Sequence, residues 1–403
     1  MSGYDVVVVG GRIAGASTAL LLARAGVRVA VVERSARGSD TLSTHGLMRA
    51  GVLQLSRWGL LDRVVTAGTP PITRTVFHYA DDDSVQVSIR HSPGVDALYA
   101  PRRTVLDRIL VDAAEEAGAV MLHDTTVTSL LRGPDGRVRG VAAQDTQGTK
   151  LMLEAAITVG ADGIRSSVAQ ETAAPVIRQG RSASAVLYRY VQDLDAVGYE
   201  WAYGDGSGAG LLPTNAGETC VFVATTPERM RRLRRAGREH AFDTLLASSA
   251  PAFVERVRDS SAFTAMRGWG GIPSHVRQSW GPGWALVGDA GYFKDPITTH
   301  GMSDGLRDGE LLADRILAVL GGAPEPVALA AYQDTRERLS ARLFDATEDV
   351  ARYDWDLVRV RALLRAVSSA MSDEVDYLQA LPDRRVDPGI GAFVPTDNAD
   401  RAG

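Results

Sequence analysis

The chain of 403 residues is long enough for two domains or one elaborate domain, and 45% apolar with 23% charged residues is ordinary for a globular protein. Its net charge of −5 gives no excess positive field, so we expect no nucleic-acid partner. The single cysteine, Cys220, excludes an intrachain disulfide and a cysteine-based metal cluster and fits a reducing, cytoplasmic compartment. We expect no metal, no signal peptide and no membrane span, because no apolar run reaches the roughly 20 residues that a span needs.

The chain opens with an apolar strand, a glycine-rich turn and a helix rich in alanine and leucine. The strand begins near residue 5, the turn spans residues 10–15, and the helix continues to Ala25. Backbone N–H groups in such a turn can approach a pyrophosphate, and the helix directs its positive N-terminus at that charge. A second strand ends at Glu33, roughly 20 residues after the turn, where dinucleotide sites place the acid that binds a ribose.

One position of the turn departs from the G-x-G-x-x-G pattern, because Arg12 stands where the second glycine is expected. That glycine lets the backbone touch phosphate, so Arg12 must either turn its side chain away or place its guanidinium on the nucleotide. Gly11 can take over the close approach. Alone, the turn fits an ordinary buried strand-to-helix connection equally well; the strand before it, the helix after it and Glu33 favour a nucleotide.

The remaining pattern alternates strands and helices and becomes rich in aromatic strands in the middle. Helices are predicted at 52–64, 103–118, 228–236, 239–248 and 302–320, with further helices to about 380. Strands are predicted within 72–100, at 120, as an antiparallel meander over 126–159, and at 186–191, 199–203, 220–224 and 284–287. The βαβ start and the change of character near residue 181 predict a nucleotide domain interrupted by an inserted sheet domain.

Three further motifs follow the glycine turn in the order and spacing of a known family. They are R-A-G-V-L at residues 49–53, G-A-D-G at 160–163, and V-G-D-A at 287–290, which continues through D-P at 295–296 to G-M at 301–302. Each is weak alone, because an Asp-Gly pair is usually only a turn. Together they resemble the FAD-dependent monooxygenases of the para-hydroxybenzoate hydroxylase fold, whose relatives include flavin halogenases and geranylgeranyl reductases. The similarity spans roughly residues 5–320.

The resemblance implies a noncovalently bound FAD and places particular residues against it. Asp162 would lie between the pyrophosphate and the nicotinamide approach, Asp289 would bond the ribityl chain, and Arg49 and Arg103 would contact the ribityl–pyrophosphate region. N–H groups at the start of the helix near Gly301 would face flavin N1 and O2. The full set implied to bind FAD is Gly10, Gly11, Arg12, Ile13, Ala14, Gly15, Glu33, Arg34, Arg49, Arg103, Val127, Asp162, Asp289, Pro296, Gly301 and Met302.

We predict an α/β fold with a Rossmann-like FAD-binding domain, an inserted β-sheet substrate domain and a helical C-terminal part. The FAD-binding domain is predicted to be discontinuous, at residues 1–180 and 268–350. The substrate-binding sheet is predicted at 181–267, the C-terminal helices at 351–381 and a loosely ordered tail at 382–403.

The activity implied by the resemblance depends on the flavin. In this family NADPH or NADH reduces the flavin, which then uses oxygen, while the protein positions and shields the reactants. We therefore expect a monooxygenase that hydroxylates or epoxidises an aromatic or polyketide-like small molecule. A flavin-dependent reductase of the geranylgeranyl type and a redox-neutral cyclase with FAD as scaffold remain alternatives, and the oligomeric state stays open.

The chain departs from the flavin halogenases at their W-x-W-x-I-P motif. Residues 268–273 read G-W-G-G-I-P, so glycine stands at both tryptophan positions. No lysine precedes Lys150, which removes the candidate for the lysine that such halogenases use. Both departures argue against a tryptophan-halogenase-type activity.

Two histidines lie in segments that the resemblance places near the isoalloxazine ring. His45 and His300 could each tune a proton or orient the substrate, and each could equally be a histidine that only hydrogen-bonds loop backbone. We expect Lys294 and Asp295, close before His300, to pair with each other on the surface.

The inserted sheet carries the residues that we expect to bind the substrate. Aromatic side chains at alternate strand positions suit an apolar or aromatic ligand. Such a stripe is nevertheless more often core packing than a ligand cage. The residues are Tyr188, Tyr190, Trp201 and Tyr203.

Overall fold

The structure, a computed structural model, describes residues 3–80 and 83–384. Its helices are α1 (Ile13–Arg24), α2 (Arg49–Arg57), α3 (Leu61–Thr66), α4 (Arg103–Glu116), α5 (Ser167–Glu171), α6 (Pro227–Leu233), α7 (Arg238–Ser249), α8 (Pro251–Arg258), α9 (Gly301–Leu320), α10 (Glu325–Val350) and α11 (Leu357–Gln379). The helix predicted over 52–64 is two helices, because Gly59 adopts a φ of +71° and ends the first one.

The strands form three sheets. They are a large sheet whose central strands are parallel, a seven-stranded sheet and a small three-stranded sheet. In chain order they are β1 (Gly3–Val9), β2 (Val29–Val32), β3 (Arg74–Ala80), β4 (Asp83–Ser88), β5 (Val120–Leu122), β6 (Thr125–Arg132), β7 (Val138–Asp145), β8 (Lys150–Gly160), β9 (Val176–Gln179), β10 (Ala185–Gln192), β11 (Tyr199–Gly204), β12 (Ser207–Pro213), β13 (Glu218–Thr225), β14 (Arg267–Trp269), β15 (His275–Arg277), β16 (Trp280–Gly281), β17 (Trp284–Leu286) and β18 (Tyr292–Phe293).

The large sheet has the order β16-β17-β8-β1-β2-β5, with the β6–β7 hairpin joined to β8. Strand β1 pairs in parallel with both β2 and β8, so its carboxyl end lies at the centre of the sheet. Helices α1, α4 and α9 cover one face, and the β6–β7 hairpin with the first residues of β8 covers the other. Because both faces are covered, β1 and β2 are apolar runs without alternation. The predicted Rossmann-like core and α/β fold class are confirmed.

The seven-stranded sheet has the order β14-β10-β13-β12-β11-β3-β4. One face packs on α6, α7 and α8, and the other carries the aromatic residues. The structure differs from the predicted boundary at one place: β3 (Arg74–Ala80) and β4 (Asp83–Ser88), assigned to the FAD-binding domain, belong to this sheet. Strand β3 pairs in parallel with β11 across more than a hundred residues of chain, a contact that no local pattern reveals.

Helices α10 and α11 lie near the end of the described chain and pack on each other, and α10 also packs on α9 while α11 packs on α2. The segment between them contributes Tyr353 and Trp355 to the aromatic face of the seven-stranded sheet. The tail was predicted to be loosely ordered from residue 382. Near its start Arg384 pairs with Glu310 on α9 at 2.8 Å, and residues 385–403 lie outside the described chain. No helix within the described residues is long and apolar enough to cross a membrane.

Candidate cofactor site and active site

The turn between β1 and α1 is closed by contacts that require glycine at two positions. Gly10 has a φ of +103°, and a Cβ there would lie 2.4 Å from the carbonyl oxygen of Ala161. A Cβ at Gly15 would lie 1.9 Å from the carbonyl oxygen of Gly10. The turn therefore brings the start of α1 directly against the carboxyl ends of β1 and β8, where open α/β sheets bind their ligands.

Glu33 connects the ends of the first two strands. Its Oε2 accepts a hydrogen bond from the N–H of Gly11 at 2.7 Å, and its Oε1 accepts one from the N–H of Ser35 at 2.9 Å. A shallow cleft opens beside it, lined by Gly11, Arg12, Glu33, Ser35, Ala36, Arg37, Gly38, Ser39, Asp107, Arg108, Val111 and His123. Arg34 is exposed and Val127 is half-buried, and neither lines this cleft.

Arg12 and Arg103 share one carboxylate at the rim of this cleft. Arg12 Nη1 lies 3.2 Å from Asp107 Oδ2, and Arg103 donates to both oxygens of Asp107 at 3.0 and 3.1 Å. Arg12 also donates to the hydroxyl of Ser39 at 3.3 Å. The two guanidinium groups exceed the single carboxylate by one positive charge, which suits an anionic ligand beside the glycine turn. Asp107 was not predicted as a site residue, although its i,i+4 spacing to Arg103 pointed to an ion pair.

Asp289 lies in a short 3₁₀ helix between β17 and α9, at the opposite side of the turn. The preceding Gly288 has a φ of +59°, and a Cβ there would lie 2.8 Å from the Cβ of Ala14, so this connection packs directly on the start of α1. The side chain of Asp289 is exposed while its neighbours are buried. Burial by the surrounding protein nevertheless raises its pKa to about 6, although Lys294 and Arg103 oppose the shift. Asp289 is thus accessible while protein surrounds it closely enough to raise its pKa.

The start of α9 is open. Gly301 is exposed between the buried His300 and Met302, and a Cβ built on it would meet no atom within 4 Å. The first N–H groups of this 20-residue helix have no intrahelical acceptor. Pro296 is half-buried in the preceding turn. The helix therefore offers free donors and a positive end to a ligand.

Two other residues implied to bind FAD use part of their hydrogen-bonding capacity within the protein. Asp162 Oδ2 accepts hydrogen bonds from the N–H and hydroxyl of Ser167 at 2.6 and 2.8 Å, while its buried Oδ1 finds no partner in the described chain. Arg49, half-buried at the start of α2, donates to the hydroxyl of Ser92 at 3.1 Å. Asp162 thus keeps one free acceptor.

His45 is buried in a strained loop and bonded to the substrate sheet. Its backbone has a φ of +66°, rare for a residue other than glycine, and its Nε2 is hydrogen-bonded to the hydroxyl of Tyr190. Burial lowers its pKa well below the usual range, and the charges of Arg102, Arg103 and Arg267 lower it further. The ring is therefore neutral. The Cζ of Arg102 lies 3.6 Å from the centre of the Tyr190 ring.

The four predicted substrate residues divide into two pairs. Tyr188 and Tyr190 meet the His45 loop, since the Tyr188 hydroxyl accepts from the N–H of Ser43 at 3.2 Å. Trp201 and Tyr203 instead pack within the aromatic face, with ring centres 5.9 Å from Phe222 and Trp355 respectively. The structure favours core packing for the second pair, and substrate binding by all four residues stays a prediction.

The predicted surface pair of Lys294 and Asp295 is wrong, because both side chains are buried and have other partners. Lys294 contacts Asp304 on α9. Asp295 accepts from the N–H and the hydroxyl of Ser184, both at 2.6 Å. His300 is bonded through Nε2 to Glu374 on α11 at 2.5 Å. Sequence reasoning missed Glu374, because it is separated from His300 by a long stretch of chain.

Comparison with known proteins identifies the family of this chain. The FAD binding domain family matches the chain over residues 3–347, which include the glycine turn, Asp162, Asp289 and the start of α9. The chain belongs to the FAD-dependent monooxygenase superfamily. This flavoprotein is thus an FAD-dependent oxidoreductase, and the resemblance identified from its four motifs is confirmed.

Relatives of this flavoprotein include both hydroxylases and reductases. It is 28% identical over 375 residues to aklavinone 12-hydroxylase DnrF of Streptomyces peucetius, covering 87% of this chain and 74% of the relative. It is 29% identical over 351 residues to digeranylgeranylglycerophospholipid reductase of Methanothrix thermoacetophila, covering 82% of each. In structure it is similar to the flavin-dependent brominase Bmp2, with a TM-score of 0.77 and 18% identity over 94% of this chain and 93% of that one, a likeness that shows the fold alone.

Proposed function

We propose that this flavoprotein is a monooxygenase that uses NADPH or NADH and oxygen to hydroxylate or epoxidise an aromatic or polyketide-like small molecule. The observation that carries the proposal is the accessible carboxylate of Asp289 beside the open start of α9. A structural aspartate would be paired inside the protein, as Asp295 is, whereas Asp289 keeps an accessible acceptor enclosed by protein. The donor and acceptor set fits a flavin nucleotide.

Each part of the site has a role toward FAD. Glu33 keeps acceptor capacity for ribose hydroxyls, because a carboxylate offers about four lone-pair sites and two N–H groups use only part of them. Arg12 and Arg103 would hold the diphosphate, Asp289 the ribityl hydroxyls, and the first turn of α9 the pyrimidine end of the ring. When bound, the flavin supplies electron transfer and oxygen activation.

The substrate side of the proposal rests on the His45 loop and the sheet above it. His45 is neutral and hydrogen-bonded to Tyr190, so it can hold or pass a proton without a buried charge. Tyr188 and Tyr190 are buried on the aromatic face next to the His45 loop, and a flat ligand would pack against this end of the face. The similarity to aklavinone 12-hydroxylase supports an aromatic polyketide-like substrate.

Two alternatives keep their support. The similarity to digeranylgeranylglycerophospholipid reductase favours a flavin-dependent reductase that saturates an isoprenoid chain. A redox-neutral cyclase would use the same FAD contacts without net electron transfer. The halogenase alternative is disfavoured, because glycine stands at Gly268 and Gly270 in place of the motif's tryptophans.

Stoichiometry separates these functions. The FAD-loaded protein would be incubated with NADPH or NADH and a hydroxyanthraquinone probe, and reductant consumption, oxygen uptake and product mass measured together. A monooxygenase consumes reductant and oxygen in equal amounts and adds one oxygen atom to the product. Reduction of a substrate without oxygen uptake would establish the reductase, and turnover that consumes neither would establish the cyclase; either result refutes the proposal.

A further inference from the structure

His300 is enclosed by a buried network of charged side chains at the start of α9. Its Nε2 contacts the carboxylate of Glu374 at 2.5 Å, and Arg307 donates to the other oxygen of that carboxylate at 3.1 Å. Arg307 also pairs with Asp304 at 3.1 Å and Asp308 at 2.7 Å. All these side chains are nearly inaccessible, so the network is isolated from bulk water.

The protonation states in this network determine which nitrogen of His300 carries hydrogen. Burial raises the pKa of Glu374, but its hydrogen bond with His300 and the positive charge of Arg307 outweigh that effect and hold the pKa below its usual range. Burial lowers the pKa of His300, against the opposing influence of Glu374. Glu374 is therefore an anion that can only accept, and a neutral His300 must donate to it from Nε2–H.

The consequence is an unpaired acceptor at the other nitrogen. In the Nε2–H tautomer, Nδ1 of His300 carries a lone pair, and this buried atom has no hydrogen-bond partner within residues 3–80 and 83–384. A buried acceptor without a donor is costly, so a native structure normally satisfies it. The next residue, Gly301, is exposed, and a Cβ built on it would meet no atom within 4 Å, so space for a ligand begins one residue from His300. Nδ1 itself is inaccessible, so a donor reaches it only when the ligand shifts the start of α9.

A metal ion does not explain the arrangement. The ligand atoms of His300, Asp304 and Glu374 lie within 4.8 Å of one another. However, Lys294 contacts Asp304, and Arg307 pairs with both carboxylates, so their charge is already neutralised by cations. A divalent ion would be repelled by these two groups.

We propose that Nδ1 of His300 accepts a hydrogen bond from an N–H or O–H group of the ligand bound at the start of α9, and that Glu374 is the positioning residue that holds His300 in the tautomer required for it. The donor belongs to the flavin or to the substrate, and the inference thus rests on the proposed function. Glu374 lies on α11, beyond residues 3–347 that the family matches, so this chain adds its own C-terminal helix to the site.

The tautomer can be measured directly. Histidine is labelled with ¹⁵N, and the ring nitrogens of His300 are assigned by comparison with His300→Asn. We expect Nε2–H and a bare Nδ1 in the apoprotein. One arm adds FAD alone and a second adds FAD with 1,8-dihydroxyanthraquinone; an upfield shift of Nδ1 in the first arm identifies a flavin donor, and a shift only in the second identifies a substrate donor.

Variants of α11 test the positioning role. Glu374→Ala should give a mixture of both tautomers and weaken FAD or probe binding, whichever supplies the donor, by roughly three- to tenfold. Glu374→Gln, which preserves shape, should give a smaller change and serves if the alanine variant does not fold. Asp373→Asn is the matched control, because Asp373 is exposed on the same helix and pairs only with Arg342 in the described chain; it should retain the wild-type spectrum and affinity.

The inference is overturned if His300 in wild type is cationic or carries its hydrogen on Nδ1, or if Nδ1 responds in neither arm although FAD binds. A shift of the His300 signals on adding micromolar Zn²⁺ would also overturn it, by showing a cation site. Failure of the protein to bind FAD would instead refute the proposed function itself, so the two failures are distinguishable.

Discussion

The two ends of the cofactor site differ in how far the protein satisfies its own polar groups. At the glycine turn, Glu33 is bonded to two backbone N–H groups and Arg12 is paired with Asp107. At the start of α9, Asp289 is accessible, and Nδ1 of His300 has no partner within the described chain. The first end is preformed without a ligand, whereas the second keeps polar acceptors available to a ligand.

The two buried histidines show the same contrast on a smaller scale. Both have Nε2 bonded and Nδ1 unpartnered within the residues described, and burial lowers the pKa of each. The partner of His45 is the hydroxyl of Tyr190, which can donate or accept, while the partner of His300 is a carboxylate that can only accept. His300 is thus held in one tautomer and His45 is free to exchange its proton, which suits His45 for proton transfer and His300 for orientation.

The largest effect is expected at the unsatisfied end. Asp289→Ala removes a charged acceptor, so FAD binding should weaken by about 1.5 to 3 kcal/mol, or roughly ten- to hundredfold. Titration of apoprotein with FAD measures it. Cys220→Ser is the control, because Cys220 is a buried core residue of the aromatic face and should leave affinity and activity nearly intact. Equal FAD affinities for wild type and Asp289→Ala would remove Asp289 from the site.

At the preformed end, Arg12 provides the next test. Arg12→Gly restores the usual glycine pattern but removes a guanidinium that can bond phosphate at two points, so FAD affinity should fall by about tenfold. Arg12→Lys should recover part of the lost FAD affinity, since lysine keeps the charge but cannot bond phosphate at two points. Arg28→Gly, at an exposed arginine paired with Asp5, is the control. If Arg12→Gly binds FAD as well as wild type, the side chain serves only the ion pair with Asp107.

The pH dependence of FAD affinity should distinguish Asp289, at the start of α9, from the groups of the glycine turn. Because the pKa of Asp289 is about 6, its carboxylate becomes protonated as the pH falls from 7 to 5, and FAD affinity should decrease by up to about tenfold over that range. In the apoprotein the sign is opposite: this raised pKa stabilises the fold at low pH, and that contribution is lost as the pH rises from 3.8 to about 6. Asp289→Asn should abolish both dependences. Persistence of the binding dependence in Asp289→Asn would assign it to another group.

The smallest effect concerns the two pairs of aromatic residues. Tyr190→Phe removes the hydroxyl bonded to His45 and should lower kcat by roughly fivefold, the cost of one neutral hydrogen bond. Tyr203→Phe should leave kcat and KM close to wild type, because its ring packs against Trp355 and remains in place. Steady-state kinetics with the preferred substrate measure both. If Tyr203→Phe lowered kcat more than Tyr190→Phe does, Tyr203 and not Tyr190 would be the residue of the aromatic face that acts on the substrate.

Features whose conformation depends on neighbouring residues could be predicted from the sequence. The glycine turn, Glu33 and the motif around Asp289 each depend on neighbouring residues, and their order along the chain is enough to recognise an FAD site. Helix α9 was likewise predicted almost to its bounds, because its apolar periodicity is continuous. The roles of these residues toward FAD stay predictions until binding is measured.

Errors arose where a residue's partner is distant in the chain. Lys294 and Asp295 are adjacent and of opposite charge, so a surface pair was the natural interpretation; in the fold the backbone turns them toward Asp304 and Ser184. Strands β3 and β4 were assigned to the wrong domain for the same reason, because parallel pairing with β11 joins segments far apart.

The sequence by itself determined the class of protein, because the glycine turn and three further motifs, each with a locally determined backbone conformation, follow in the order and spacing of the FAD-dependent family. Only the tertiary structure decided the electrostatic state of the site. The charge on Asp289, the partner of Arg12 and the tautomer of His300 depend on burial and on groups brought together by folding, such as Glu374 at the far end of the chain. Desolvation and charge–charge distance are properties of the packed interior, and a linear pattern does not contain them.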